Sequence, residues 1–251
     1  MKTKLYALVG LLLLVSFPAA AQQLDNLNFD QWSKKGGCWN PYAKDAKTKT
    51  WDTANHGLSI LGINGTMPEF EHVAVSGSKA AAKIETKKVL GILVSGNIYT
   101  GRFLHLVKMS GAVMEFGIPF KGRPKSLSGY VHYQPGKIDV ASDALKALKG
   151  STDTGCIEIS LQDWDGPETV DSTSPEFKEM REKPQTHRIG YGKLELKKNT
   201  GGYIPFEIPI EYVNGKTPRY IVIVCTSSKN GQQFTGSTDS VMYLDEFRLN
   251  Y

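Results

Sequence analysis

The chain is predicted to fold as one all-β domain, a β-sandwich of the jelly-roll kind. Three observations predict it. Short runs rich in β-branched and aromatic residues recur from residue 24 to the end, each bounded by Gly, Pro, Asn or Asp. Helical patterning is confined to two short stretches. The composition, 40% hydrophobic and 22% charged, is that of an ordinary globular protein and excludes a disordered or multi-span membrane chain.

In order, the stretch 24–29 alternates apolar and polar residues, 57–63 is a short apolar run, and 80–89 has the make-up of a strand. Residues 102–107 and 112–116 flank a Met109-Ser110-Gly111 turn and predict a hairpin. Further strands are expected at 125–133, 155–163, 187–196, 203–212, 219–226 and 241–251, about ten or eleven in all. The run Arg219-Tyr-Ile-Val-Ile-Val-Cys225 is apolar on both faces, as a central strand would be. In 156–161 only alternate residues are apolar, which predicts one solvated face. Short helical turns are expected at 143–149 and, behind a Ser-Pro-Glu start, at 174–183. The uneven strand spacing and the long connections 135–154 and 166–186 favour a sandwich over a propeller or regular barrel.

The amino terminus reads as an address. Lys2 and Lys4 precede an apolar run from Leu5 to Phe17, then Pro18 and Ala19-Ala20-Ala21. This is the pattern of a secretory signal peptide, residues 1–21, leaving a domain at 22–251. The apolar run of roughly 13 residues is short of the roughly 20 that span a bilayer, so no transmembrane segment is expected after cleavage. No Cys lies near the cleavage point, which argues against a lipid anchor. The expected location is therefore periplasm or cell surface. Removing Lys2 and Lys4 lowers the formal charge from +5 to about +3, too little to argue for nucleic acid. Cys156 and Cys225 fall inside strands as small apolar residues, and Cys38, in Gly-Gly-Cys-Trp-Asn, is expected in a loop.

Catalytic signatures are scarce: the sequence has no Gly-x-Ser-x-Gly elbow, His-Glu-x-x-His or phosphate-binding glycine loop, and its five histidines lack metal-ligand spacing. The most suggestive acid pair is Asp163 and Asp165 around Trp164, because a glycosidase needs two carboxylates across a sugar. Glu69 and Glu71 around Phe70 are a weaker pair. Binding chemistry fits better. Sugars stack their C–H faces on aromatic rings and offer hydroxyl pairs to Arg and Asn. Trp39, Trp51 and Trp164, placed in loops, with Arg102, Arg123 and Asn97, supply that set. Arg123, at a Pro-set turn, is also expected to fork onto a carboxylate such as Asp163 or Asp239.

Several clusters resemble a family when taken together. They include Asn28-Phe29-Asp30-Gln31-Trp32, Trp51-Asp-Thr-Ala-Asn55-His-Gly57, Asn97-Ile-Tyr99-Thr-Gly101-Arg-Phe103 and Gly117-Ile-Pro119-Phe120-Lys-Gly-Arg123-Pro124. Later come Gly129-Tyr130-Val-His-Tyr133-Gln-Pro135, Phe234-Thr235-Gly236 and Ser240-Val-Met-Tyr243-Leu244-Asp245-Glu246. The chain resembles the "putative carbohydrate metabolism domain" family of Bacteroidetes, whose members are often labelled glycoside hydrolases. The resemblance implies a jelly roll similar to galactose-binding and carbohydrate-binding modules. Such modules commonly hold a structural Ca²⁺ where the first and last strands meet, which points to Asp30 and Asp245 here. The function expected from residues and resemblance is an exported, non-catalytic carbohydrate-binding protein. The alternatives are a glycoside hydrolase using an Asp/Glu pair, and an envelope structural module that binds another protein.

Overall fold

The computed structural model describes residues 21–108, 111–174 and 186–251. The expected signal peptide and the expected helix at 174–183 therefore lie almost wholly outside the described residues. Among the described residues, no helix is long and apolar enough to cross a membrane.

The strands are β1 (Ser33–Lys35), β2 (Cys38–Asn40), β3 (Trp51–Thr53), β4 (Thr66–Glu69), β5 (Ala81–Glu85), β6 (Lys87–Val89), β7 (Ile92–Val94), β8 (Asn97–Val107) and β9 (Gly111–Phe116). They continue as β10 (Ile118–Pro119), β11 (Ser126–Gln134), β12 (Gly155–Gln162), β13 (Glu168–Asp171), β14 (Arg188–Leu196), β15 (Ile204–Pro209), β16 (Glu211–Tyr212), β17 (Tyr220–Thr226) and β18 (Val241–Asn250). Two main antiparallel sheets result. One has the order β13-β9-β8-β17-β12-β14-β16, with β3 added beside β8 and β10 beside β17. The other has the order β15-β11-β18-β5-β4, and β1-β2 and β6-β7 form separate ribbons.

The core is what period-two patterning dictates. Ile221, Ile223 and Cys225 of β17 and Ile157, Ile159 and Leu161 of β12 face inward from one sheet. Leu127, Val131 and Tyr133 of β11 and Met242 and Leu244 of β18 meet them from the other. β17 lies between β8 and β12, as its two-sided apolar run predicts. In β18 the inward parity shifts, from Met242 and Leu244 to Phe247 and Leu249, because one extra residue is inserted opposite Ser128–Tyr130. Glu246 takes the left-handed conformation at this β-bulge, φ 51°.

Two expected strands are corrected. Residues 24–29 form a turn, with Asn26 and Phe29 at positive φ, and Leu24, Leu27 and Phe29 plug one end of the sandwich instead of pairing with a neighbour. Residues 57–63 are not a strand either. The short helix α1 (Asn55–Leu58) runs into a 3-10 turn at Ser59–Leu61, which ends at Gly62 with φ 73°. The turn expected at 143–149 is present as 3-10 helix over Asp143–Leu148. Trp51, placed in a loop by its sequence context, is instead a fully buried residue of β3, packed on Phe29 and Phe247. The face of β12 expected to be solvated is largely covered: Cys156 and Ser160 are buried, and Glu158 is half-buried.

Candidate functional site

A groove of about 390 Å³ opens on the outer face of the nine-stranded sheet. Alternation along β8 sends Ile98 and Thr100 into the core and turns Asn97, Tyr99 and Phe103 toward the groove. Met114 and Phe116 of β9 join them across the strand pair, opposite Phe103 and Gly101. Gly101 sits at φ 148°, and a Cβ there would lie 2.1 Å from the Glu115 carbonyl oxygen, so the aromatic row depends on a glycine in β8. Leu58 of α1, Leu93 of the β6-β7 ribbon and Phe234 form walls. The rim carries exposed apolar side chains, Ile60 at 76% and Leu90 at 74%. The buried hydroxyl of Tyr99 has no hydrogen-bond partner among the described residues.

The same sheet carries a charged half on β12 and β14. Lys193 Nζ bridges Glu158 at 3.1 Å and Glu195 at 3.0 Å, and Lys229 Nζ adds a 2.6 Å contact to Glu195. Lys229 and then Lys193 hold the Glu195 carboxyl down to about 2.

The residues expected to form a site are dispersed. Asn97 lines the groove, but its side chain is also structural: Oδ1 accepts the Ala54 N–H and Nδ2 donates to the Ser95 carbonyl. Arg102 pairs with Glu115 across β8 and β9 through two guanidinium nitrogens. Trp39 sits on the β1-β2 ribbon with Lys34 Nζ 5.0 Å over its ring. Trp164 is half-buried against Tyr220, with ring centroids 6.4 Å apart, and over Gly117. Asp163 accepts from Lys216 Nζ at 2.9 Å, and Asp165 is paired with Arg219. Lys216 holds the Asp163 carboxyl below its ordinary range. The carboxylate partner expected for Arg123 is corrected. Its guanidinium donates to the carbonyls of Asn214 and Lys216 and stacks 4.0 Å over Tyr212, because the turn before β17 brings backbone oxygens, not acids, against it.

Asp30 and Asp245 grip one connection, residues 74–80. Asp30 Oδ1 accepts the N–H groups of Lys79 and Ala80, and its Oδ2 accepts from Asn28. Asp245 Oδ2 accepts the Ala74 N–H, and its Oδ1 accepts from Glu246 N–H and the Ser78 hydroxyl. Calcium needs roughly six to eight oxygens with free lone pairs. These oxygens face hydrogen-bond donors, and the described residues hold no group of three acidic, His or Cys side chains arranged for a metal. The donor set does not fit the ion. The expected result of adding a chelator is an unchanged melting temperature, and a fall of several degrees would restore the calcium reading.

Sequence reasoning missed Tyr99, Phe103, Met114 and Phe116. The alternation of Asn97, Ile98, Tyr99 and Thr100 was the signal that could have found part of the set. Cys38, expected in a loop, is in β2 and only 5% exposed, and all three cysteines are free.

Two antiparallel sheets packed face to face, with a groove on the outer face of one, define a β-sandwich of the jelly-roll class. Within that class the chain belongs to the family described as "Putative carbohydrate metabolism domain", whose model matches residues 28–250. A crystal structure described as a putative glycoside hydrolase from Bacteroides thetaiotaomicron VPI-5482 superposes with a TM-score of 0.68 at 20% identity, over 89% of this chain and 70% of that one. Another, described as a putative glycoside hydrolase from Bacteroides vulgatus ATCC 8482, gives 0.68 at 18% identity, over 89% and 96%. At these identities the likeness establishes the fold. A search of the curated proteins finds no match.

Proposed function

We propose that the chain is an exported carbohydrate-binding protein that takes a glycan into the groove on the nine-stranded sheet, without hydrolysing it. The observation that supports this reading is the groove itself, with Phe103 and Phe116 available to stack on sugar faces and Asn97 and Gln232 at its edge. The carbohydrate class comes from the family. Binding is favoured over hydrolysis by the state of the acids. A general acid must keep its proton near neutral pH. Burial raises the carboxyls of Asp153 and Asp245, but these are 2% and 0% exposed. Glu195 and Asp163 are held ionised by lysines. Export, to periplasm or cell surface, rests on the amino-terminal pattern of residues 1–21.

A glycan array on residues 22–251 tests the reading. On the best glycan found, Phe116→Ala is expected to lower affinity about tenfold, the loss of one stacked ring with its buried area. Trp164→Ala is expected to leave affinity unchanged. The reverse result would move the site to the 163–165 corner. Release of reducing sugar by the wild-type chain would replace binding with hydrolysis.

The exposed apolar rim, Ile60 and Leu90 foremost, favours a second reading in which an envelope protein docks over the groove. An array without hits, together with a stable complex lost in Ile60→Glu, would select it.

A further inference from the structure

A cluster of nucleophile, base and acid lies beside the groove, and the glycan reading does not use it. Cys38 of β2, His56 of α1 and Asp52 of β3 stand in line. The Cys38 thiol is 3.9 Å from His56 Nδ1, and His56 Nε2 is 3.2 Å from Asp52 Oδ1. Asp52 is fixed by backbone donors: Oδ1 accepts the Thr53 N–H and Oδ2 the Phe103 N–H, both at 2.8 Å. The His56 ring stacks on Phe103, with centroids 5.6 Å and planes 23° apart, which sets its tilt. The two ring nitrogens are thus directed to opposite partners, one to the acid and one to the sulfur. A single cation could not gather all three groups in this arrangement. Nucleophile, base and orienting acid is the arrangement that activates a thiol.

The electrostatics agree with the geometry. The hydrogen bond to Asp52, and then that to Cys38, raise His56 to about 10, so at neutral pH the ring is an imidazolium that donates on both sides. The other titratable groups facing this cluster are Tyr42 and Tyr99. Burial, with the charge of Asp52 added, raises both, so neither competes for the proton near neutral pH.

We infer that Cys38 is a nucleophile paired with His56 and oriented through Asp52, and that it exchanges with small disulfides. Attack on an acyl carbon would need free N–H donors for the oxyanion. The N–H of Trp39, next to the sulfur, is already given to Asn64 Oδ1 at 2.9 Å. Exchange at sulfur needs no such donor. The Cys38 sulfur attacks one sulfur of R–S–S–R and a new S–S bond forms as the old one breaks. The departing thiolate leaves with the bonding pair and takes the proton from His56. Cys38 is oxidised to the mixed disulfide, and the departing half is reduced to a thiol. Access is through the β1-β2 ribbon, which carries Cys38 behind a Gly36-Gly37 turn with φ 56° and 84°. The ribbon is tied to the body by the Trp39 N–H on Asn64 Oδ1 and the Asn55 amide on the Trp39 carbonyl, so a small disulfide meets the 5% of Cys38 that is exposed while His56 stays beside it.

The test uses 2,2′-dithiodipyridine on the folded chain. Cys156 and Cys225 are buried, and burial raises both thiols, so they stay silent. One thiol per chain is expected to react, and none in Cys38→Ser. In His56→Gln the rate at pH 6 should fall about tenfold or more. Asp52→Asn answers the same question if His56→Gln fails to fold. An equal rate at pH 6 in a folded His56→Gln, or a native Cys38 that does not react, overturns the inference.

Discussion

Trp51→Ala is expected to destabilise the domain by about 3–5 kcal/mol, the range for deleting a large aromatic from a core. For a domain of this size that corresponds to a fall of about 10 °C in melting temperature. Trp51 is 0% exposed, with Phe29 at 5.3 Å and Phe247 at 6.4 Å between ring centroids. Its indole N–H donates to the Asn26 carbonyl at 3.1 Å, so the variant loses a buried hydrogen bond as well as its packing. The effect should spread, because Asn26 in turn holds residues 31 and 41 through its side chain. Denaturant unfolding measures the loss, and a value below about 1.5 kcal/mol would mean that the end of the sandwich collapses around the gap.

Asp153→Ala is expected to cost about 2–4 kcal/mol. Asp153 is buried, and its Oδ2 accepts from the Ser228 hydroxyl at 2.6 Å, the Ser237 N–H at 2.8 Å and the Ser240 hydroxyl at 2.9 Å. Its Oδ1 accepts the Thr154 N–H at 2.7 Å. The hydroxyls can rotate to other acceptors, since Ser228 also meets the Thr86 hydroxyl. The two backbone N–H groups cannot, and each buried orphan costs roughly 1–3 kcal/mol. Asp153→Asn keeps one acceptor and should lose less. Equal losses in the two variants would show that the 227–240 segment needs both carboxylate oxygens as acceptors, and that the shape with one acceptor does not hold it. That segment supplies Ser228 and Phe234 to the groove, so Asp153→Ala should also weaken binding there.

The central strands could be read because burial on both faces leaves a continuous apolar run, as in β17, and alternation survives where one face is polar, as in β14. The stretch 24–29 mimicked a strand because Leu24, Leu27 and Phe29 are apolar for a different reason: they close the end of the core from a turn. The 57–63 run was apolar because α1 and its 3-10 extension line the groove. β3 was invisible at three residues, too short for any period. The groove escaped because β8, β9, α1, a ribbon and the 227–234 segment each give it one or two side chains, and no local spacing encodes their convergence. Cys38 and His56 are 18 residues apart and meet only through the packing of β2 on α1. Asp163 and Asp165 looked like an acid pair because their basic partners, Lys216 and Arg219, lie some 50 residues downstream.

The position of β18 also governs when the structure can exist. β18 pairs with β11 on one side and β5 on the other, at the centre of the five-stranded sheet. Its bulge delivers Asp245 to the 74–80 connection, and its far end brings Phe247 to Trp51. Until residues 241–250 are in place, β11 and β5 are two unpaired edges flanking a gap, and the core has no floor. Contacts this distant in sequence close slowly. The fold is thus an arch whose keystone is the last of its strands in chain order, and residues 241–250 must have been made before the sandwich can lock.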